Sequence, residues 1–241
     1  MTIGFRILPR RRTVPADLIA RCAAFPVANV SDCMHRMSAA GPRLKRFHRS
    51  GSLAGPALTV RTRPGDNLMI HKAIDMAQPG DVIVVDAGGD LTNSLMGDLM
   101  LAYAIRRQVG GFVIYGAIRD ADAFLTANLP VWAMGVTHRG PYKDGPGEVN
   151  VPIALEGMVI EPGDLILGDG DGVLSVPFDD VADVLTRAAA KQAAEARLMV
   201  QIAAGQNDRS WVDEALRRKG CVMPGAVEVT PDTARHRQPA A

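Results

Sequence analysis

The chain has 241 residues, 47% hydrophobic and 22% charged, and its 24 glycines and 16 prolines stay below the content of a disordered or collagen-like chain. With 27 Lys and Arg against 26 Asp and Glu, the formal net charge is +1, and aromatic residues make up 5%. A basic field and stacking platforms are both lacking, so nucleic acid is not the expected partner. Cys22, Cys33 and Cys221 form no CxxC pair, which argues against a disulfide scaffold and for a reducing, cytoplasmic setting.

Arg10, Arg11 and Arg12 follow a short apolar stretch, the reverse of a signal peptide's order. No apolar run reaches the roughly 18 residues of a membrane span, so no membrane partner is expected. The stretch from Pro15 to Met37 reads as helix broken at Pro26, with Ser31 or Asp32 able to cap a second short helix. Leu53 to Thr62 reads as a strand, and Pro64-Gly65-Asp66 as a turn into a helix from about Asn67 to Met76. Pro79-Gly80-Asp81 launches the apolar run Val82-Ile83-Val84-Val85, the mark of a strand covered on both faces.

After Gly88-Gly89, the residues Leu95, Met96, Leu99, Met100 and Tyr103 are spaced as one helix face ending at Gly110-Gly111. Phe112-Val113-Ile114-Tyr115 is a second buried strand, and Arg119 to Ala127 is expected to be helical. This alternation predicts a largely parallel sheet flanked by helices with right-handed crossovers. Beyond Pro130 come short strands, Val131 to Met134, Val149 to Ala154, Met158 to Ile160, Leu165 to Leu167 and Val173 to Val176. The segments Pro79-Gly80-Asp81 and Pro162-Gly163-Asp164 echo each other, each a turn feeding an apolar run that ends in Asp. Phe178 to Ala204 reads as one Ala-rich helix with Val181, Val184, Leu185, Ala188, Leu198 and Ile202 on its apolar side, and the polar tail from Pro231 to Ala241 is expected to fray.

Two loops following the predicted buried strands carry Gly97-Asp98 and Arg119-Asp120, on the edge where open α/β sheets bind ligands. Asp98 stands near a helix start, where the amides of Leu99 and Met100 can hold a carboxylate. Arg119 offers a planar donor fork to a carboxylate or keto oxygen, and Asp120 offers hard oxygen to a divalent cation. Each also has a plainer reading: Asp98 as a helix cap, Arg119-Asp120 as a solvated pair, Gly88-Gly89 as a turn. These residues define a plausible site without naming its reaction.

Asp98, twenty intervening residues and Arg119-Asp120, within GGD, GD and GG-FVIYGAIRD, resemble the signature of the RraA-like family, which includes the 4-hydroxy-4-methyl-2-oxoglutarate aldolases. The likeness extends through Gly147-Glu148-Val149-Asn150-Val151-Pro152, Gly157 and PGDLILGDGDGVLSVP. It implies an α/β/α sandwich similar to a swivelling phosphohistidine domain over residues 30–205. An N-terminal helical segment, 1–29, precedes it, and a C-terminal helix and tail, 206–241, follow. The resemblance further implies a pyruvate aldolase dependent on Mg2+ or Mn2+ that also decarboxylates oxaloacetate, assembled as a homotrimer or homohexamer and taking a small 2-oxo acid. Asp120 would bind the metal directly, with a carboxylate of an adjacent subunit, Glu195 by position, supporting its water shell. Asp98 would order a proton-relaying water, Arg119 would contact the keto oxygen, and Gly97 with the amides of Leu99 and Met100 would hold the pyruvate carboxylate.

Other features carry less. The five histidines lack HxH or HxxxH spacing, which speaks against zinc, and His71 reads as structural. Cys33 reads as packing. Asp169-Gly170-Asp171-Gly172 begins like a calcium loop but has Asp180 where the closing Glu belongs. Met96 and Met100 read as core or as an apolar wall. The family's namesakes inhibit ribonuclease E by protein contact, which is the alternative function. A demethylmenaquinone methyltransferase finds no glycine-rich cofactor loop here.

Overall fold

The computed structural model describes residues 2–224, so the tail expected to fray at 231–241 lies outside the described residues. The chain divides into two compact units, Met1–Ala194 and one that begins at Glu195. The first unit opens with β1 (Phe5–Ile7), α1 (Ala16–Cys22), α2 (Val27–Cys33), β2 (Lys45–Arg46) and the long β3 (Leu53–Thr62). There follow α3 (Leu68–Met76), β4 (Val82–Asp86), α4 (Asp98–Arg106), β5 (Gly111–Ile118), α5 (Ala121–Ala127) and β6 (Val131–Val136). Then come β7 (Gly147–Val149), β8 (Ile153–Leu155), β9 (Met158–Ile160), β10 (Leu165–Asp169), β11 (Gly172–Val176) and α6 (Val181–Ala203).

Among the described residues, nine strands form one sheet in the order β1-β7-β3-β4-β5-β6-β2, with β10 paired to the first half of β3 and β11 to β10. The four strands β3 to β6 run parallel, which places all their carboxyl ends on one edge. Alternating side chains send Ile83, Val85, Phe112 and Ile114 to one face, against Ile70 and Ile74 of α3 and Leu101 of α4. Val82, Val84, Val113 and Trp132 go to the other, with Val30 of α2 and Val184 and Leu185 of α6. The unbroken apolar runs of β4 and β5 follow from helices on both faces. Each fully buried aliphatic side chain contributes about 1.5–3 kcal/mol to holding these layers together.

The arginine cluster fastens the N-terminal segment to the two echoed turns. Gly80 (φ 85°) and Gly163 (φ 93°) both turn through the left-handed region that glycine adopts freely. Asp81 then accepts the Gln78 N–H at 2.9 Å and Asp164 the Glu161 N–H at 2.8 Å. Arg10 pairs with the buried Asp81 at 2.6 Å, and Arg12 lies 2.5 Å from Glu161 and 3.6 Å from the buried Asp164. Residues 1–29 are thus not helical throughout: they begin with β1, which runs parallel to β7.

Other boundaries shift for local reasons. Ser31 and Asp32 lie inside α2, whose N-cap is Pro26, and Asp32 pairs with Arg36 and Lys191 instead of capping. The stretch expected as one strand from Val149 to Ala154 is divided into β7 and β8, with Asn150 in left-handed conformation (φ 57°) between them. On α6 the pattern residues Val181, Val184, Leu185 and Ala188 are buried. Leu198 and Ile202 are exposed, in the second unit, which also holds α7 (Ser210–Arg218). No helix among the described residues is long and apolar enough to cross a membrane.

Candidate active site

The loops after β4 and β5 are joined by an extension of the sheet. Ser94 bridges to Ala117 in parallel register, the Leu95 N–H donates to Ala117 O at 2.8 Å, and the Arg119 N–H donates to Met96 O at 2.9 Å. This is why Leu95 and Met96, spaced like a helix face, lie outside any helix, and why α4 starts only at Asp98. The ladder delivers Gly97-Asp98 directly beside Arg119-Asp120. The loop after β6 is bound to the same place, with Ser94 Oγ donating to Arg139 O at 2.9 Å and Asn93 Nδ2 to Gly140 O at 2.5 Å.

Asp120 occupies the N-cap of α5 in left-handed conformation (φ 57°), an uncommon state for a residue with a Cβ and of the kind that gathers at functional sites. An N-cap aspartate ordinarily accepts an amide of its own helix, but Asp120 makes no such bond. Its Oδ2 instead accepts the Asp98 N–H at 3.0 Å and lies 3.5 Å from Arg119 Nε. Side-chain exposures of 40% for Arg119 and 38% for Asp120 leave both open to a ligand, and solvent screening keeps their mutual attraction weak. Oδ1 of Asp120 accepts no hydrogen bond among the described residues. A Cβ on Gly97 would fall against Asp120 Oδ2 and 2.9 Å from Arg119 Nε, so only glycine leaves this junction room.

In the first turn of α4, the Leu99 N–H donates to Asp98 Oδ1 at 2.7 Å and the Leu101 N–H to Gly97 O at 3.0 Å. The Met100 N–H is left without an acceptor among the described residues. One of the two amides expected to hold a carboxylate is therefore open, and the other is taken by Asp98. Glu195 lies on α6, in the second unit. No group of three His, Cys, Asp or Glu side chains among the described residues is arranged as a metal cluster.

A cavity of about 240 Å3 adjoins this junction, lined by Gly97, Leu99, Met100 and Arg119 together with Asn67, His71 and Lys143. A larger hollow of about 310 Å3 beside Arg10 and Arg12 lies away from it, and both those guanidiniums are already paired with carboxylates. Sequence reasoning passed over the last three lining residues. His71, read as structural, faces the cavity, and burial, reinforced by the Lys143 charge, holds its imidazole below the usual histidine range.

Asn67, the N-cap of α3, donates to Leu95 O at 3.0 Å, which fixes α3 to the β4 loop. The loop bearing Lys143 is held by the buried Asp66, which accepts the N–H groups of Asp144 (2.7 Å), Gly145 (2.8 Å) and Leu68 (3.0 Å) and pairs with Arg63 at 3.2 Å. A legible signal did exist for this region: a strand followed by the polar, glycine-rich stretch from Thr137 to Pro146, at the same sheet edge as the other two loops.

A protein of Halalkalibacterium halodurans named "Putative 4-hydroxy-4-methyl-2-oxoglutarate aldolase" is 41% identical over 177 residues, covering 73% of this chain and 84% of that protein. Among solved structures, an uncharacterized protein from Pseudomonas syringae superposes with a TM-score of 0.73 at 27% identity, over 81% of this chain and 96% of its own. Streptomyces coelicolor RraAS2, described as an unusual member of the RNase ES inhibitor RraA family, gives 0.71 at 27% identity, over 78% and 97%. The family profile described as RraA-like, Aldolase/RraA, matches residues 27–175, a span that holds Gly97, Asp98, Arg119 and Asp120 and all four parallel strands that present them. By that match and the 41% relative, the chain is a member of the RraA-like family.

Proposed function

We propose that this protein is a divalent-metal-dependent lyase that cleaves 4-hydroxy-2-oxo acids of the 4-hydroxy-4-methyl-2-oxoglutarate type to pyruvate, and that it decarboxylates oxaloacetate at the same site. The observation that carries this reading is the orientation of Asp120. Its carboxylate is turned off its own helix toward the Asp98 amide and Arg119, beside the cavity. The aldolase name of the Halalkalibacterium halodurans relative supports it.

Both reactions leave the enolate of pyruvate, so positive charge must stand where the 2-oxo oxygen becomes negative. Mg2+ keeps several waters and accepts one or two carboxylates, so Asp120, with a free Oδ1, fits a cation held by a single direct protein ligand. Bound there, such a cation supplies Lewis-acid polarisation of the 2-oxo group. Arg119 donates its guanidinium fork to the same oxygen. The Met100 amide at the N-terminus of α4, joined by that of Leu99, binds the 1-carboxylate. Asp98, exposed and joined through its N–H to Asp120, takes the 4-hydroxyl proton through an ordered water. As the C3–C4 bond breaks, its electron pair passes into the enolate, and a proton is then returned to C3.

Pyruvate release from 4-hydroxy-4-methyl-2-oxoglutarate and from oxaloacetate, assayed with Mg2+ and with a chelator, tests this reading. Metal-stimulated release from both is expected. A stable, folded protein that releases none would favour the alternative of regulation by protein contact; the Streptomyces coelicolor neighbour's family is described as an RNase ES inhibitor. Within the site, Gly97→Ala is expected to cost little stability, because the new methyl meets the half-exposed side chains of Asp120 and Arg119 and no backbone, so those side chains are displaced. Turnover is expected to fall about a hundredfold, since displacing reacting groups by about an ångström costs that much. Thermal unfolding together with steady-state kinetics would separate the two effects.

A further inference from the structure

The hollow of about 310 Å3 beside the arginine cluster opens at the other edge of the sheet from the candidate active site, where Asp81 leads into β4. Residues 10–13 form one wall, Leu58 and Met76 supply an apolar surface, and Gln78, Asp81 and Asn150 complete the lining. Residues 10–13 stand outside the span 27–175 that the family profile matches, so membership of the family gives this hollow no role.

The wall is fixed on both sides of Arg11. The Leu8 N–H donates to Val149 O at 3.0 Å, Arg10 pairs with the buried Asp81, Arg12 pairs with Glu161 and Asp179, and Val14 is buried. A Cβ on Gly163 would strike Arg12 O, so the backbone is closely packed there as well. Yet the Arg11 guanidinium makes no ion pair among the described residues, although it stands between two other cations. Arg10 spends donors on Asp81 at 2.6 Å and on Gln78 Oε1 at 3.2 Å, and its remaining N–H groups find no acceptor among the described residues. An acceptor in the same lining is unanswered too. Asn150 is 6% exposed, and its N–H donates to Thr59 O and its Nδ2 to Leu8 O, both at 2.8 Å, which fixes the way its amide faces. Its Oδ1 accepts no hydrogen bond among the described residues, whereas buried acceptors are nearly always satisfied.

We infer that this hollow is a second ligand site, separate from the candidate active site, for a small hydroxylated oxyanion. The phosphate or carboxylate of the ligand meets the guanidinium forks of Arg11 and Arg10, its hydroxyl answers Asn150 Oδ1, and its carbon chain lies against Leu58 and Met76. The planar fork of arginine matches either oxyanion. A volume of about 310 Å3 lies at the small end of the range of ligand cavities, and an apolar surface with a few converging polar groups is their usual make-up. The site does not depend on the aldolase reading.

The test measures binding to the full-length protein by calorimetry in the presence of a chelator, so that no divalent cation recruits the anion to Asp120. The probes are glycerol 3-phosphate and glycerate, with propyl phosphate and propanoate as their counterparts without hydroxyls. One of the first pair is expected to bind, and which of the two does so tells phosphate from carboxylate. Arg11→Gln removes an exposed, unpaired side chain, so it is expected to keep the wild-type melting temperature and rate of pyruvate release while weakening binding roughly tenfold or more. Arg119→Ala is expected to bind as the wild type does. The counterpart without hydroxyls is expected to bind about threefold to tenfold more weakly. No binding of either probe, unchanged affinity in Arg11→Gln, or affinity lost in Arg119→Ala instead would overturn the inference. Equal affinity for the counterpart without hydroxyls would overturn the part given to Asn150.

Discussion

Asp120→Asn is expected to reduce metal-stimulated pyruvate release to the level seen with a chelator, while changing stability by no more than about 1 kcal/mol. Asparagine is the informative replacement because it tolerates the left-handed backbone that Asp120 adopts at φ 57°, where alanine would add strain of its own. Its amide oxygen can still accept the Asp98 N–H, so the junction between the two loops survives and only the negative charge is lost. Hard divalent cations depend on that charge when a single protein ligand holds them. The measurement is turnover against Mg2+ concentration, with calorimetric titration of the metal alone as a second readout. Wild-type metal dependence in Asp120→Asn would remove this carboxylate from the proposal.

The parallel core was legible because burial on both faces leaves a plain mark. The run from Val82 to Val85 and the run from Phe112 to Tyr115 have no polar residue to suggest a solvent face, and both lie in the sheet as read. The site edge was legible for the same reason, since a loop after such a strand has only one place to go. What misled was periodicity next to the site. Leu95 and Met96 share a spacing with Leu99 and Met100, yet the backbone there bonds to Ala117 and Arg119 as a strand would. Tertiary hydrogen bonding outweighed a weak local pattern.

The third wall of the cavity was illegible on different grounds. Lys143, His71 and Asn67 come from separate segments of the chain and share no spacing. They meet only because Asp66, itself reading as an ordinary turn residue, gathers the amides of a distant loop. A buried carboxylate with this many donors is unreadable in one sequence, because its partners are backbone groups that any residue carries. The same holds for Arg10 and Arg12, which looked like a basic cluster and serve as partners for two buried turn aspartates.

Arg119→Ala is expected to lower turnover about a hundredfold to a thousandfold, because one donor to a developing oxyanion is typically worth about 2.7–4 kcal/mol in the transition state. The loss should fall mainly on kcat, since the keto oxygen gains most of its negative charge after the Michaelis complex has formed. Stability should hardly change: the side chain is 40% exposed, and its contact with Asp120 is a loose 3.5 Å pair in solvent, whereas the backbone of residue 119 keeps its bond to Met96 O whatever side chain it carries. Arg119→Lys separates charge from geometry, because a lysine restores the positive charge without the planar fork. Recovery by lysine to wild-type kcat would mean that a point charge suffices and that the orientation of the fork contributes nothing. An intermediate kcat, with the oxaloacetate and 4-hydroxy-4-methyl-2-oxoglutarate reactions reduced by the same factor in both variants, would tie Arg119 to the enolate that the two reactions share.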